Sequence, residues 1–256
     1  MIITLDKCPI CGSNELQVIK RRVDGDNEIY IYKCLSCDST VFGKVKTESE
    51  TIIVRETKEE MNPKDIYNKC IKSILEIYID IDNGISAGTG VILKDGYVIT
   101  NAHVLKCLSN KKKDITQLAT CVGNFVKSDK QINLDIVAID KDMDLALLEI
   151  ENVEDYEEMA VCVDKVENAE KIYAIGNSKG QGISIVDGIV SDNERKINGN
   201  KYIMFSAPVN EGNSGGALIN SKGELIGIVT LRRSDAISMN YAIPIDFVYR
   251  FVEENI

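Results

Sequence analysis

Most of the chain consists of short apolar runs separated by turn residues, a pattern that predicts many short β-strands. From residue 74 onward these runs follow one another closely, and turn residues such as Lys94-Asp95-Gly96 stand between many of them. Because numerous short strands fit a closed or two-layered sheet, the pattern predicts an antiparallel barrel or sandwich. The predicted strands are Ile74–Ile79, Gly90–Leu93, Tyr97–Thr100, Ile132–Ile139, Leu145–Ile150, Lys171–Ile175, Gly188–Ser191, Tyr202–Ser206, Gly216–Ile219, Leu225–Thr230 and Met239–Ile243.

Two segments have a helical pattern instead. Asn62 followed by Pro63 is typical of an N-cap and the first position of a helix. Asp246–Glu254 predicts a short helix near the end of the sequence. After Pro63 the apolar residues recur at helical spacing and predict one buried stripe, formed by Ile66, Cys70, Ile71 and Ile74.

Residues 1–46 differ from the rest of the chain because they contain two Cys-x-x-Cys pairs. A hairpin pattern with its turn at Asp24–Asn27 lies between the pairs, and the strand-like Thr40–Val45 follows the second pair. This arrangement resembles a zinc ribbon, in which two tight turns bring four thiolates to one tetrahedral ion. Redox chemistry is the alternative for such pairs, but no βαβ pattern surrounds either of them. We therefore predict a structural zinc ion with four ligands, Cys8, Cys11, Cys34 and Cys37.

The sequence leaves the role of this ribbon open, because zinc ribbons bind nucleic acid, bind protein partners or only hold structure. Its basic cluster Lys20-Arg21-Arg22 is followed directly by acidic residues, which favours a solvated hairpin edge. The charged and polar segment 47–62 is predicted to be a linker. The predicted organisation is thus a ribbon at 1–46, a linker at 47–62 and a second domain at 63–256.

Composition and charge exclude several classes of protein. Hydrophobic residues make up 44% and charged residues 27% of the 256 residues, as is typical of a chain with a real core. The net charge of −10 disfavours a nucleic-acid binder, which needs a basic face. No apolar run approaches the roughly 20 residues of a membrane span, and the N-terminus lacks a signal-peptide pattern. We therefore expect a cytoplasmic protein with no membrane partner, whose other cysteines are free thiols: Cys70, Cys107, Cys121 and Cys162.

Three polar residues stand in surroundings that suit acyl-transfer chemistry. His103, the single histidine of the chain, follows the predicted strand Tyr97–Thr100. Ser214 lies in a glycine-rich loop, where exposed backbone amides surround its hydroxyl. Asp144 opens a strongly apolar strand, so its carboxylate can be partly buried, as an orienting acid requires. The acids at 140 and 142 are close competitors for that role.

The sequence around these residues resembles the trypsin-like serine proteases of the HtrA (Deg) type over roughly residues 63–254. The matching stretches are Gly88–Ile92, Gly96–Val104, Asp144–Leu148, Gly212–Gly216 and Asn240–Pro244. The resemblance implies a mostly β, chymotrypsin-like double barrel, here preceded by the zinc ribbon, with the active site between the two barrels. It implies Ser214 as nucleophile, His103 as general base and acid, and Asp144 as the acid that orients His103. It also implies an oxyanion hole at Gly212, Asn213 and Ser214.

The sequence departs from this pattern at two positions near the nucleophile. Asn213 stands where digestive members carry an aspartate, so activation through a newly cut N-terminus is not expected. Pro208 stands where trypsin carries the acid that binds basic side chains. The resemblance therefore implies a pocket for a small or medium uncharged side chain, at Pro208, Asn240 and Tyr241. We expect no PDZ domain after Ile243-Pro244, and a homo-oligomer is possible, since many HtrA enzymes form trimers.

The sequence thus predicts a serine endopeptidase that acts on protein or peptide substrates, with the ribbon as a recruiting or regulatory module for an unknown partner. Zinc is the expected metal, and catalysis needs no cofactor. Two alternatives stay open: a trypsin-like scaffold that binds a partner with an idle triad, and a nucleic-acid or protein adaptor led by the ribbon. The complete triad favours the enzyme, because a binding scaffold has no need of His103.

Overall fold

The computed structural model of the protein consists of two compact units, Met1–Glu59 and Glu60–Ile256. Within the described part of the chain, no helix has the length and apolarity needed to cross a membrane. The structure describes residues 13, 16–24, 27–36, 40–45, 51–55, 60–81, 84–109, 121–126, 130–151, 156–162, 164–232 and 238–256.

The first unit contains one antiparallel sheet of four strands in the order β1-β2-β3-β4. The hairpin predicted between the two cysteine pairs is formed by β1 and β2, which pair from Leu16 with Cys34 to Asp24 with Asn27. The fourth strand lies inside the segment that the sequence predicts to be a linker, because Ile52-Ile53-Val54 supplies a β-branched run that pairs with β3. The strands are β1 (Leu16–Asp24), β2 (Asn27–Cys34), β3 (Thr40–Val45) and β4 (Thr51–Arg55).

The second unit begins with a capped helix, α1 (Pro63–Cys70). The Asn62 side chain accepts a hydrogen bond of 3.0 Å from the backbone N–H of Asp65, and Pro63 occupies the first turn, where its missing N–H is tolerated. Ile66 and Cys70 are buried, as the helical stripe predicts. The unit closes with α2 (Ile245–Glu253), which begins one residue before the predicted helix.

Twelve strands between these helices form two closed antiparallel barrels of six strands each. The first barrel contains β5 (Ile74–Ile81), β6 (Gly84–Ile92), β7 (Tyr97–Thr100), β8 (Cys121–Phe125), β9 (Gln131–Asp140) and β10 (Leu145–Ile150). The second contains β11 (Lys171–Asn177), β12 (Ile183–Ile197), β13 (Asn200–Phe205), β14 (Ala217–Asn220), β15 (Leu225–Arg232) and β16 (Asn240–Pro244). This confirms the prediction of a mostly β chain with two barrels.

The strand prediction missed β8 and shortened β6 and β12. In β8 the central Gly123 and Asn124 interrupt the apolar pattern that marks a strand. Gly123 is tightly packed there, since a Cβ atom at this position would lie 3.1 Å from Leu134 Cδ1 and 3.2 Å from Leu75 Cδ1. The local pattern was thus overridden by contacts with residues distant in sequence.

The strand β10 is buried on both faces, which explains its uninterrupted apolar sequence. Ala146 and Leu148 pack into the interior of the first barrel. Leu145 and Leu147 point to the opposite side and join a cluster that both barrels share. We call it the interbarrel cluster; among its buried residues are Val91, Ile99, Leu145 and Leu147 of the first barrel and Tyr173, Ile175, Ala217 and Tyr241 of the second. Each leucine buried here contributes about 1.5–3 kcal/mol relative to exposure.

The buried thiol of Cys70 predicts a pH dependence of stability. Burial raises the pKa of Cys70 from 9.0 to about 11. Because the thiol of the unfolded chain ionises first, the stabilisation by the protonated buried thiol is fully present below pH 9. It is lost as pH rises toward 11, by at most about 3 kcal/mol. We expect Cys70→Ala to remove this part of the alkaline slope, measured as the free energy of unfolding in urea from pH 8 to 11 relative to wild type. Identical slopes in the two proteins would contradict the assignment.

Candidate active site

Strand pairing brings His103 and Asp144 to the same end of the first barrel. His103 lies just beyond the C-terminal end of β7, and Asp144 just before the first residue of β10. The two strands are antiparallel neighbours with Thr100 opposite Ala146, so the chain leaving β7 meets the chain entering β10. Strand pairing thus brings together two residues that are 41 positions apart in sequence.

The Asp144 carboxylate holds His103 through two hydrogen bonds. Its Oδ2 atom lies 2.7 Å from His103 Nδ1, and its Oδ1 atom accepts a 3.0 Å bond from the His103 backbone N–H. Thr230 Oγ1, from β15 of the second barrel, donates to the same Oδ2 at 2.5 Å. An ionised carboxylate only accepts, so Nδ1 carries the ring proton and Nε2 keeps the lone pair that a general base needs. The imidazole is exposed, which leaves Nε2 accessible.

The two competing acids have other partners. Asp140 Oδ1 accepts 2.9 Å hydrogen bonds from the backbone N–H groups of Asp142 and Met143, and so closes the turn before β10. Asp142 is exposed, and its carbonyl accepts a 3.0 Å bond from Asn200 Nδ2. The structure therefore places Asp144, and neither competitor, against the imidazole. Asp144 adopts a left-handed backbone conformation, φ +58°, which presents its carboxylate to β7.

Two glycines shape the loop that carries Ser214. Gly212 and Gly215 both have left-handed backbones, with φ of +91° and +81°. A Cβ atom at Gly212 would lie 2.1 Å from Asn177 O, so only glycine fits. Within the described residues, no hydrogen bond joins Ser214 Oγ to the His103 ring. Such bonds are often long in resting enzymes and tighten when substrate binds.

The carbonyl groups of this loop all point to donors. Gly212 O accepts a 2.9 Å bond from Thr89 Oγ1, and Ser214 O accepts a 3.0 Å bond from the Thr89 backbone N–H. Glu211 O accepts a 2.6 Å bond from the Lys179 N–H. Asn213 O likewise accepts a 2.9 Å bond from the backbone N–H two residues beyond Ser214. These bonds fix the direction of four successive carbonyl groups, from Glu211 to Ser214.

Of the three residues predicted for the oxyanion hole, two have unengaged amides. In the described part of the chain, the backbone N–H groups of Gly212 and Ser214 have no acceptor. The N–H of Asn213, between them, donates to Asn210 O at 3.1 Å. Two N–H groups without an internal acceptor, one on each side of Asn213, are the donors that the prediction needs for a developing oxyanion.

Asn101 connects Asp144 with the segment Gly212–Gly216, here called the nucleophile loop after the role predicted for Ser214. Its Nδ2 atom donates to Asp144 O at 2.9 Å, and its Oδ1 atom accepts a 2.7 Å bond from the Gly215 N–H. The side chain is completely buried. The sequence reasoning missed Thr89, Asn101 and Thr230, although the first two lie within stretches on which the family resemblance rests.

The residues predicted for the substrate pocket occupy different surroundings. Pro208 is exposed. Asn240 is buried, and its Nδ2 donates to Ala207 O at 2.7 Å, which ties β16 to the segment before the nucleophile loop. The Tyr241 ring lies in the interbarrel cluster, edge-on to Tyr202 with 6.4 Å between ring centroids. The pocket assignment itself stays a prediction.

The double barrel and this arrangement of polar groups define a trypsin-like serine protease domain. The sequence profile of the trypsin-like peptidase domain matches residues 88–228, more than half of the chain, and the chain belongs to that family. A probable periplasmic serine endoprotease, DegP-like, from Buchnera aphidicola is 35% identical over 172 residues, which are 63% of this chain and 34% of that protein. The serine endoprotease DegS of Haemophilus influenzae is 36% identical over 172 residues, 62% of this chain and 47% of that protein. The relatives are thus of the HtrA/DegP type.

Similarity extends beyond the family profile in sequence and in structure. A serine protease, HtrA-like, of Staphylococcus aureus is 28% identical over 250 residues, 90% of this chain and 29% of that protein. An HtrA-type protease solved with a tripeptide has a TM-score of 0.66 at 25% identity, over 76% of this chain and 63% of that one. A serine endoprotease of Yersinia pestis shares the fold, with a TM-score of 0.65 at 24% identity over 76% of this chain and 66% of that one. The chain spans less than half the length of the three relatives compared by sequence.

The cytoplasmic location expected from the sequence is wrong by this comparison, because the Buchnera relative is named a periplasmic endoprotease. The expectation rests on the lack of an apolar span and of a signal-peptide pattern, and the expectation of free thiols follows from it. Thiols are a poor guide to compartment when they are buried. Cys70 and Cys162 are free thiols, and both are buried, as is Cys121. A buried thiol is kept from oxidation by its surroundings in either compartment.

The geometry predicts different consequences for two neighbouring acids. Asp144→Asn should lower kcat by about 10³–10⁴-fold, because the amide favours the wrong imidazole tautomer. Asp142→Asn, the matched control on the exposed side of the turn, should leave kcat within about twofold of wild type. Steady-state hydrolysis of a peptide substrate measures both, with thermal unfolding as the check on folding. The assignment fails if Asp142→Asn is the damaging change.

Proposed function

We propose that this chain is a serine endopeptidase that hydrolyses peptide bonds through an acyl-enzyme. The observation that carries the proposal is the Asp144 carboxylate, which accepts from the His103 ring, the His103 backbone and Thr230. This contact fixes the orientation and tautomer of the imidazole. A binding scaffold with an idle triad has no use for such an arrangement.

Each group then has a defined step. Ser214 Oγ attacks the scissile carbonyl carbon while His103 Nε2 takes the hydroxyl proton, and the carbonyl oxygen becomes an anion that the Gly212 and Ser214 N–H groups bind. His103 returns the proton to the departing amine as the C–N bond breaks, which leaves an ester on Ser214. Water, activated by the same Nε2, then attacks the ester and releases the carboxylate product and free Ser214.

The substrate side of the proposal is a protein or peptide with a small or medium uncharged residue before the scissile bond. Pro208 offers no carboxylate to pair with lysine or arginine, and an unpaired buried cation would cost several kcal/mol. A related protease solved with a tripeptide supports a peptide substrate. The name of the Buchnera relative supports a periplasmic place of action.

The nucleophile assignment is tested by Ser214→Ala. The variant should lose peptide hydrolysis and labelling by a fluorophosphonate probe, because the attacking hydroxyl is gone while the loop glycines remain. Ser221→Ala, a serine outside the site, serves as control and should keep both. The two readouts are probe labelling on a gel and steady-state hydrolysis. Hydrolysis by Ser214→Ala at the wild-type rate would refute the mechanism.

We further propose that the first unit holds a structural zinc ion. Cys8, Cys11 and Cys37 lie outside the described residues. Cys34 is completely buried at the end of β2. Ser13 Oγ, two residues after Cys11, lies 2.7 Å from Ser36 Oγ, which lies between Cys34 and Cys37. This hydrogen bond supports the close approach of the two cysteine pairs that a four-thiolate site needs. Zinc there would stabilise a small sheet, and the catalytic steps do not involve it.

Metal analysis tests this proposal. Protein purified without chelator should contain about one zinc ion per chain, and Cys34→Ser should lose most of it because one of the four thiolates is removed. Cys162→Ala, which changes a buried thiol of the second unit, is the matched control and should keep its zinc. Elemental analysis of the three proteins decides. Equal zinc contents in wild type and Cys34→Ser would contradict the ligand assignment.

A further inference from the structure

We propose that Thr89 is a positioning residue, whose hydroxyl holds the backbone of Gly212 so that its amide faces the reacting oxygen. The inference rests on the proposed peptidase function and assigns to it a residue outside the triad and the oxyanion donors. Thr89 lies on β6 in the first barrel, whereas Gly212 belongs to the second. The side chain is completely buried, so the contact is shielded from water.

The direction of the hydroxyl proton follows from its two partners. The Asn177 backbone N–H donates to Thr89 Oγ1 at 2.9 Å. Because an N–H group can only donate, Thr89 Oγ1 accepts there and directs its single proton to Gly212 O, also at 2.9 Å. The hydroxyl thereby joins the end of β11 to the nucleophile loop and fixes the direction of the Gly212 carbonyl.

Gly212 needs such an anchor because glycine has no intrinsic preference for its left-handed conformation. The peptide plane before it is fixed by the 2.6 Å bond from the Lys179 N–H to Glu211 O. In a trans peptide the N–H points opposite to the carbonyl, so this bond turns the Gly212 N–H away from Lys179. The peptide plane after Gly212 is held by two bonds, the 2.9 Å bond from the Thr89 hydroxyl to Gly212 O and the 3.1 Å bond from the Asn213 N–H to Asn210 O. Without the hydroxyl, only the longer of these bonds resists rotation of the plane, so the Gly212 N–H is held less firmly in the oxyanion site.

The backbone of Thr89 makes separate contacts that a substitution would leave in place. Its N–H donates to Ser214 O at 3.0 Å, and its carbonyl accepts a 2.7 Å bond from Thr100 Oγ1. A change of side chain therefore removes the hydroxyl contact while Ser214 stays attached to β6. This separation makes the hydroxyl testable by itself.

The test compares Thr89→Val, which keeps the shape and loses the hydroxyl, with Thr89→Ser, which keeps the hydroxyl. Loss of a whole oxyanion donor lowers kcat by about 10²–10³-fold, so a misoriented donor in Thr89→Val should lower it by about 10–100-fold. KM should change by less than about threefold, since ground-state binding is untouched. Thr89→Ser should restore kcat to within about threefold of wild type. Ser86→Ala is the matched control, because it removes another buried hydroxyl on β6, bonded to Val104 O at 3.0 Å, and should leave kcat unchanged.

The affinity for a peptide boronate inhibitor distinguishes a positioning role of Thr89 from a merely structural one. The tetrahedral adduct of the boronate on Ser214 presents an oxygen to the Gly212 N–H, so Thr89→Val should weaken its inhibition in proportion to the loss of kcat. If Thr89→Val does not fold, Thr89→Cys, with its weaker S–H donor, should show the same pattern. Wild-type kcat and boronate affinity in the folded variant would overturn the inference while leaving the protease intact. A wild-type protein without hydrolysis or fluorophosphonate labelling would refute the proposed function and this role together.

Discussion

The apolar surface shared by the two barrels is the constraint on which the rest of the structure depends. Neither barrel contains a complete site, since His103 and Asp144 belong to the first barrel and Ser214 to the second. The interbarrel cluster removes Leu145, Leu147 and their partners from water and so fixes the distance between the two halves. Leu145 directly follows Asp144, and Ala217 lies three residues after Ser214, so the packing acts within one turn of the polar groups.

Buried polar contacts then set the register of the two halves more finely than apolar packing can. Apolar contacts are non-directional, whereas a buried hydrogen bond has a narrow range of distance and angle. The side chains of Thr89, Asn101 and Thr230 each form a hydrogen bond between the two barrels. Their partners are backbone groups of the nucleophile loop or the Asp144 carboxylate. Because an unpaired buried partner is costly, these contacts favour one relative placement of the barrels.

Left-handed backbone conformations occur in the site at Asp144, Gly212 and Gly215. Asp144 occupies a left-handed conformation that costs an ordinary residue roughly 1–2 kcal/mol. The Asp140 turn and the bonds from the 101–103 segment to Asp144 hold this conformation in place. Gly212 and Gly215 provide the same freedom in the nucleophile loop without that cost. Within the site, the strained residue is thus Asp144, in the turn before β10.

The sequence determined those features that depend on neighbouring residues. The bounds of β7 and β10 agree with the predicted strands, because turn residues border both apolar runs. The cap of α1 follows from Asn62 and Pro63 alone. His103, Ser214 and three candidate acids could be selected from their local surroundings, and the family resemblance supplied the preference for Asp144.

Only the tertiary structure decided how distant segments meet. The pairing of β7 with β10 brings Asp144 to His103, whereas Asp140 accepts hydrogen bonds within its own turn. No local sequence pattern distinguishes the roles of these two aspartates. The strand β8 pairs with β5 and β9, although its own sequence argues against a strand. The roles of Thr89, Asn101 and Thr230 depend on partners more than 40 residues away in sequence. A hydrogen bond of that kind is fixed by packing between elements, and packing is a property of the folded chain.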